Sequence, residues 1–249
     1  MAEWWLFDAQ TQQRIAEHID AAATRVIDHF EAHHNENSIT AALGQELMRE
    51  RVLLGDTTVA FNYRNFPEQT EEPLVGADGG MLITITNHVE RLHVDKGVLF
   101  QAKRFPQDRL PRELSIPRPE DASRLKNQIQ NMLRMTKESI LLGYTLDAIY
   151  AVDAKSLRER TIDELRYPLA KPRLVRLGTF LGKWVARCTR GDENEALIQG
   201  IREPRGFLKH VFEMDVTTRQ KPLLTEGGVA LPLDASNKER MPESWRRRR

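Results

Sequence analysis

Apolar residues recur every three or four positions in the N-terminal part of the chain, which is the spacing of one helix face. In the segment 9–32 these residues are Ile15, Ile19, Ala22, Val26, Ile27 and Phe30. The polar segment 33–38 interrupts the pattern. A second stripe then follows at Ile39, Leu43, Leu47 and Met48. We therefore predict two helices, the second capped by Ser38 and ended near Leu54 by the Gly-Asp pair at 55–56.

Three segments in the middle of the chain have the composition and alternation of strands. Residues 57–66 are rich in β-branched and aromatic side chains, and in 81–86 the series Met, Ile, Ile alternates with Leu, Thr, Thr. The segment 97–104 reads GVLFQAKR and is the third predicted strand. The polar segment 87–96 turns the chain between the last two strands, so we predict that they form an antiparallel hairpin.

The hairpin is followed by signals for a loop, a helix and a strand. Four prolines in 105–119 predict the loop. Either Asp121 or Ser123 then caps a predicted helix that runs up to Gly143. The segment 144–154, YTLDAIYAVDA, predicts a further strand.

These elements predict an α/β fold, a mixed sheet of the α+β kind flanked by helices, over residues 1–155. Residues 156–249 are predicted to form a helical C-terminal region. One helix face there consists of Leu174, Leu177, Phe180, Leu181 and Trp184. The segment 218–249 holds several prolines and glycines and ends in RRRR, which predicts an irregular basic tail.

The charge and cysteine content exclude several classes of protein. The chain has 249 residues, 37 of them basic and 36 acidic, so a net charge of +1 indicates no overall preference for an anionic partner. Because Cys188 is the single cysteine, neither an intrachain disulfide nor a cysteine-based zinc site can form, and we expect a cytoplasmic setting. No apolar run reaches the ~18 residues of a membrane span, and the acidic N-terminal segment is not typical of a signal peptide.

The polar end of the third strand carries the candidate chemistry. Alternate residues of a strand face opposite sides of a sheet, so Gln101 and Lys103 share one face, about 7 Å apart. The other face holds the apolar residues Val98, Phe100 and Ala102. Asp78 opens the neighbouring strand, and the hairpin is expected to bring its carboxylate beside the Gln101 amide. Carboxylate and amide oxygens suit Mg²⁺ or Mn²⁺, and a nearby lysine can stabilise developing negative charge on a phosphate.

This order of residues resembles the PD-(D/E)xK nucleases, the restriction-endonuclease-like superfamily. In that family an acidic residue begins one strand of a hairpin, and the next strand ends in acid-x-Lys. Here the first element is GADGG with Asp78, and the second is QAK, with Gln101 in the place of the acid. The resemblance covers about residues 30–150 and implies a restriction-endonuclease-like core.

The resemblance also implies a set of site residues. Asp78, Gln101 and the main-chain carbonyl of Ala102 would hold Mg²⁺ or Mn²⁺, and Lys103 would position or activate the attacking water. A glutamate from the preceding helix would complete the site. Glu36 is the preferred candidate, and Glu46 and Glu72 are the alternatives.

The implied function is a metal-dependent endonuclease that hydrolyses phosphodiester bonds, with DNA favoured over RNA. Defence against foreign DNA, including viral DNA, and DNA repair are the two settings that the resemblance suggests. Basic residues after the motif are expected to contact phosphates. They are Arg104, Arg109, Arg112, Arg118 and Lys126. The resemblance further implies a homo-oligomer, such as a dimer.

The neutral amide at position 101 leaves a second function open. A nuclease fold that lacks one carboxylate can serve as a catalytically silent module that binds nucleic acid or takes part in assembly. Each feature also has a purely structural interpretation. Asp78 can form a turn at a strand start, and Gln101 and Lys103 can be the solvated end of an edge strand.

Overall fold

The computed structural model describes residues 3–5, 8–33, 35–49, 51–66, 75–105, 116, 118–166, 174–185, 190–204, 208–221, 223–226 and 229–231. Its helices are α1 (Ala9–Ile27), α2 (Glu36–Met48), α3 (Pro119–Met135), α4 (Ala154–Arg158), α5 (Ile162–Arg166), α6 (Leu177–Thr179) and α7 (Glu195–Arg202). A 3₁₀ turn at Phe30–Ala32 follows α1, and a π-helix at Phe180–Val185 continues α6.

The described strands form two sheets. They are β1 (Glu3–Trp5), β2 (Val52–Leu54), β3 (Thr57–Asn65), β4 (Gly79–Asn87), β5 (Leu92–Arg104), β6 (Ser139–Tyr144), β7 (Ile149–Asp153), β8 (Val175–Arg176), β9 (His210–Thr218), β10 (Leu223–Glu226) and β11 (Val229–Leu231). The larger sheet has the order β2-β3-β9-β4-β5-β6-β7-β8, and the smaller one has the order β1-β10-β11.

The centre of the large sheet is mixed. The predicted hairpin is confirmed, because β4 and β5 pair antiparallel. The strand β5 pairs parallel to β6, and α3 makes the crossover between them. On the other side of the hairpin, β4 pairs parallel to β9. The sheet therefore confirms the α/β class with a mixed sheet flanked by helices.

Helices cover both faces of this sheet, and β5 contributes to two cores. Val98, Phe100 and Ala102 are buried in the core that also holds the apolar faces of α1 and α2. Leu99 belongs to the opposite core, with side chains of α3 and α7. The strand is therefore buried on both sides along most of its length. His93 near its start and its last two residues, Lys103 and Arg104, are partly exposed.

The second predicted helix begins earlier and ends earlier than its sequence pattern indicated. Its N-cap is Asn35 rather than Ser38, and the two residues form a reciprocal capping box in which Ser38 is the third helical position. The helix ends at Met48. The residues Val52–Leu54, predicted as its last turn, instead pair with β3, because the Gly-Asp pair at 55–56 forms a tight turn between two strands. Gly55 takes a positive φ of 56° there, which suits glycine.

The predicted helix after the proline-rich segment is also shorter than expected. It begins at Pro119 with Arg118 at the N-cap position, so neither Asp121 nor Ser123 is its cap. Residues 139–143, predicted to continue the helix, lie in the fully buried strand β6. A short apolar run such as SILLG has the same pattern in a buried helix and in a buried parallel strand.

The C-terminal part differs most from its prediction. The strand predicted at 144–154 is confirmed in part as β7. The helix face predicted around 174–184 is also confirmed in part, because Leu177, Phe180, Leu181 and Trp184 lie in α6 and the π-helix, whereas Leu174 precedes strand β8. The prediction of a helical region is wrong for β9, which lies between β3 and β4 in the large sheet. The segment predicted as irregular contains β10 and β11. The division of the chain at residue 155 stays a prediction.

Several predicted features lie outside the described residues. They are most of the loop at 105–119, the basic tail at 232–249, and Glu72, Arg109, Arg112 and Cys188. Among the helices that the structure describes, none has the length and apolar character needed to cross a membrane.

Candidate functional site

Asp78 lies at the point where three strands of the sheet begin or end. The register pairs Gly79 with Phe100 on one side and with His210 on the other. The Asp78 N–H donates to the Phe100 carbonyl at 2.9 Å, and its own carbonyl accepts from the Lys209 and His210 N–H groups at 2.9 and 3.1 Å. Backbone hydrogen bonds to both neighbouring strands therefore fix Asp78.

Glycine is required directly after Asp78 for a steric reason. A side chain at position 79 would overlap the Phe100 ring and the carbonyl oxygen of His210. The absence of a side chain at Gly79 lets β4 lie this close to both neighbours. The GADGG segment thus supplies the Asp78 carboxylate, and its next residue, Gly79, allows β4 to lie close to β5 and β9.

The Asp78 carboxylate and the end of β5 are in direct contact. Its Oδ2 accepts from the Gln101 side-chain Nε2 and, at 2.9 Å, from the Ala102 backbone N–H. Gln101 is only 2% exposed, and its Nε2 also lies 3.4 Å from the Ala102 carbonyl oxygen. The structure therefore places the Asp78 carboxylate beside the Gln101 amide, as the hairpin predicted, and beside the backbone of Ala102, the residue that the resemblance implied.

Glu36 reaches the same end of β5 from the helical layer. It is the first residue of α2, and its Oε1 accepts from the backbone N–H of Arg104 at 3.4 Å. Glu46, further along the same helix, instead forms salt bridges with Arg25 at 2.7 Å and Arg49 at 3.0 Å. Of the two candidate glutamates that are described, Glu36 is the one placed beside the hairpin end.

The electrostatics of the site reflect a buried carboxylate surrounded by charges of both signs. Burial raises the pKa of the Asp78 carboxyl, and the nearby Glu36 carboxylate adds to that rise. The Ala102 N–H and the ammonium groups of Lys103 and Lys209 act in the opposite direction on this pKa. The site thus combines two carboxylates with two lysines.

Lys103, near the end of β5, and Lys209, directly before β9, lie on either side of Asp78. Both are partly exposed, and neither ammonium group forms a hydrogen bond or salt bridge with another residue that the structure describes. Lys103 was expected from the sequence. Lys209 was not, because the residues that precede β9 were assigned to a helical region.

The predicted phosphate-binding residues separate into different environments. The Arg104 guanidinium lies 4.4 Å from the centre of the Phe30 ring and donates to the Phe30 carbonyl. Lys126 donates to the Arg160 carbonyl at 2.9 Å. These two side chains make contacts within the protein, whereas Arg118 is exposed at the start of α3.

Sequence reasoning missed a set of polar side chains on the α2 side of the site. They are Asn37, Thr40, Tyr63, Tyr144 and His210. The signal that could have identified His210 is the alternation in HVFEMDVTT, where buried and more exposed side chains alternate after the first three residues. That pattern is typical of a strand, and it places His210 at the strand start beside Asp78.

The donor atoms at the end of the hairpin fit a hard divalent cation. The set comprises two carboxylates, one amide and one main-chain carbonyl, all of which offer oxygen. Within the described ranges no three His, Cys, Asp or Glu side chains converge on a point. Magnesium commonly binds to one or two carboxylates together with water and substrate phosphate oxygens, so a second or third acidic ligand is not required.

Comparisons with protein-family models, with curated protein sequences and with solved structures found no significant match to this chain.

Proposed function

We propose that this protein is a divalent-metal-dependent endonuclease that hydrolyses phosphodiester bonds of DNA. The observation that carries the proposal is the contact of Gln101 and Ala102 with the Asp78 carboxylate, with Lys103 two residues beyond Gln101 on the same strand. The placement of Glu36 at the Arg104 N–H supports it. The chain order α2, β2, β3, β4, β5, α3, β6 contains the helix, strand, hairpin, helix and strand on which the resemblance rests, and this supports the proposal.

The proposed ligands of Mg²⁺ or Mn²⁺ are Asp78, Glu36, the Gln101 amide oxygen and the Ala102 carbonyl. When bound, such an ion polarises a phosphodiester and lowers the pKa of a water molecule. The Gln101 Nε2 points to Asp78 in the structure. Its Oε1 would therefore have to turn towards the ion, which a rotation of the terminal amide allows.

The two lysines have the charge that phosphodiester hydrolysis requires. Negative charge on the phosphate oxygens increases in the transition state, and a fixed cation lowers the free energy of that state. Lys103 would serve this role and orient the attacking water. Lys209, on the other side of Asp78, would contact a phosphate oxygen as a second cation.

The wider functional proposal includes the substrate and the assembly. Arg118 is exposed at the N-terminal end of α3 and is a candidate phosphate contact, as are Arg109 and Arg112 from the sequence. We propose defence against foreign DNA or DNA repair as the setting, and a homo-oligomer as the working form. Single-stranded and double-stranded DNA and RNA should be compared directly as substrates.

The test is incubation of the purified protein with plasmid DNA, linear DNA and RNA. Each reaction contains Mg²⁺, Mn²⁺ or EDTA, and products are separated on a gel. We expect cleavage of DNA with either metal and none in EDTA. Intact DNA and RNA under every metal condition would contradict the proposal.

A catalytically silent nucleic-acid-binding or assembly module is the second candidate. It is favoured by one specific observation, the donation of the Gln101 amide to the oxygen that a metal would use. This candidate predicts salt-sensitive binding of DNA without cleavage, and no effect of Mg²⁺ or Mn²⁺ on the melting temperature. Cleavage by the wild-type protein distinguishes the two candidates. Gln101→Glu should preserve or raise that metal-dependent cleavage if residue 101 is a metal ligand.

A further inference from the structure

Two hydrogen-bond chains, each with at least one buried member, end on the first turn of α2, which carries Glu36. In one chain, the Tyr63 hydroxyl lies 2.7 Å from His210 Nδ1, and His210 Nε2 lies 3.3 Å from the Asn37 Oδ1. In the other, the Tyr144 hydroxyl lies 2.6 Å from Thr40 Oγ1, which donates to the Glu36 carbonyl at 2.8 Å.

His210 and Tyr144 are buried and Tyr63 is half-buried, and all three are neutral at neutral pH. His210 is 2% exposed, and burial together with the Lys209 charge lowers its pKa to about 4. Burial raises the pKa of Tyr63 to about 12 and raises that of the fully buried Tyr144. The neutral His210 therefore donates from Nε2 to Asn37 and accepts from the Tyr63 hydroxyl at Nδ1.

The helix does not need these chains for its own capping. Asn35 and Ser38 already satisfy the N-terminal N–H groups of α2 through the capping box. The chains instead connect the first turn of the helix directly to two strands of the sheet, β9 and β6, and through Tyr63 to β3. A buried polar network is costly unless every member is paired, and its usual benefit is a unique arrangement of the groups it joins.

Both strands also contact the groups that adjoin Asp78 and Glu36. His210 donates its backbone N–H to the Asp78 carbonyl at 3.1 Å. Tyr144 pairs in register with Arg104, whose N–H meets the Glu36 carboxylate. The His210 chain therefore connects the turn that carries Glu36 to the backbone of Asp78, and the Tyr144 chain connects that turn to the strand that pairs with the end of β5.

We propose that His210, acting through Asn37, is a positioning residue that holds the Glu36 carboxylate beside Asp78 for a divalent cation. Tyr144 has the same role through Thr40 and the Glu36 backbone. This inference depends on the proposed function, because it assigns the two carboxylates to one metal site. Loss of an outer contact of this kind typically lowers metal affinity by about 10–100-fold.

The test is a Mn²⁺ titration of the full chain, followed by thermal unfolding. The variants are His210→Ala, Asn37→Ala and His210→Gln. The control is Gln13→Ala, an exposed residue near the start of α1 whose amide donates to Glu17. We expect His210→Ala and Asn37→Ala to raise the half-saturating Mn²⁺ concentration roughly tenfold or more. His210→Gln, whose amide can both donate and accept, should stay within about threefold of wild type, as should the control.

Each result decides the inference. Wild-type Mn²⁺ affinity in Asn37→Ala would overturn it, and this variant also decides the case if His210→Ala does not fold, because Asn37 is exposed. A wild-type protein that binds Mn²⁺ but cuts no nucleic acid would overturn the proposed nuclease, while the variants still decide the role of His210. A wild-type protein whose melting temperature does not respond to Mn²⁺ would overturn both.

Discussion

Gln101 donates its side-chain amide to the same Asp78 oxygen that accepts the Ala102 backbone N–H. A neutral donor at this position stabilises the ionised form of a carboxylate that burial disfavours. A glutamate in the same place would bring two negative charges into contact. The amide therefore makes the metal-free site stable, and the proposed function requires that the site can still hold a cation.

Replacement of Gln101 by Glu should make stability depend on metal. Without metal, the variant loses the hydrogen bond to Asp78 and places two carboxylates together, which should lower the free energy of unfolding by roughly 2–3 kcal/mol. Saturating Mn²⁺ should raise the melting temperature of the variant more than that of wild type, because the added charge strengthens metal binding. Thermal unfolding in EDTA and in Mn²⁺ measures both effects.

The control for this substitution is Gln130→Glu on the exposed side of α3. It adds the same charge away from the hairpin end and should unfold like wild type in both buffers. If Gln101→Glu and Gln130→Glu respond equally to Mn²⁺, position 101 does not face a metal site.

Lys209 should contribute to nucleic-acid binding although it lies far from the motif in sequence. Lys209→Ala removes a cation beside Asp78. The slope of log Kd for DNA against log salt concentration should therefore decrease by roughly one unit. The rate of cleavage at saturating protein should fall roughly tenfold or more. Lys155→Ala, an exposed lysine beyond the end of β7, is the matched control, and equal behaviour of the two variants would remove Lys209 from the site.

The hairpin and its chemistry were predictable because they depend on local pattern. Period-two alternation placed Gln101 and Lys103 on one face, and the strand order placed Asp78 opposite Gln101. The helix that carries Glu36 was equally visible in its apolar stripe. What the pattern missed there was Asn35, because both Asn35 and Ser38 are good caps and only the reciprocal geometry decides between them.

The second half of the site could not be predicted by the same reasoning. Strand β9 lies more than 100 residues after β4 and pairs with it in parallel, and local periodicity does not indicate such a distant partner. Lys209 and His210 reach Asp78 only through this pairing. In the same way, Tyr63 and Tyr144 look like ordinary core residues until their hydroxyl groups are seen to reach α2.

The close approach at Gly79 should make this position intolerant of any side chain. Gly79→Ala should lower the free energy of unfolding by about 2–3 kcal/mol, since a methyl group would overlap the Phe100 ring and the His210 carbonyl. The control is Gly200→Ala in α7, where nothing lies within 4 Å of the added atom. That change should stabilise the helix by roughly 0.5–1 kcal/mol. Chemical denaturation of both variants measures the difference, and equal stability would contradict the tight register.

His210 should make the stability of the protein decrease in mild acid. Its pKa in the folded protein is about 4, below the usual value of 6.5, so between pH 4 and pH 6.5 the unfolded chain binds a proton that the folded chain does not. The contribution of neutral His210 to the free energy of unfolding is fully present above pH 6.5. It is lost as the pH falls towards 4, and the loss reaches about 3 kcal/mol. His210→Gln should therefore show a flatter dependence of melting temperature on pH over this range.

The raised pKa of Asp78 makes stability change with pH in the opposite direction. Wild type and His210→Gln share this effect, so it cancels when their pH dependences are compared. His88→Gln, at an exposed residue in the turn after β4, should keep the wild-type pH dependence. A His210→Gln curve parallel to that of wild type would mean that His210 is not held neutral in the folded protein.

The most direct test of the central claim is the cleavage rate of Lys103→Ala under single-turnover conditions with Mn²⁺. The control is Lys137→Ala, an exposed lysine before β6, at the opposite end of that strand from the site. We predict that wild type and Lys137→Ala cut DNA at similar rates and that Lys103→Ala is slower by roughly 100-fold or more. Cleavage by Lys103→Ala at the wild-type rate would contradict the assignment of a nuclease site to Asp78, Gln101 and Lys103.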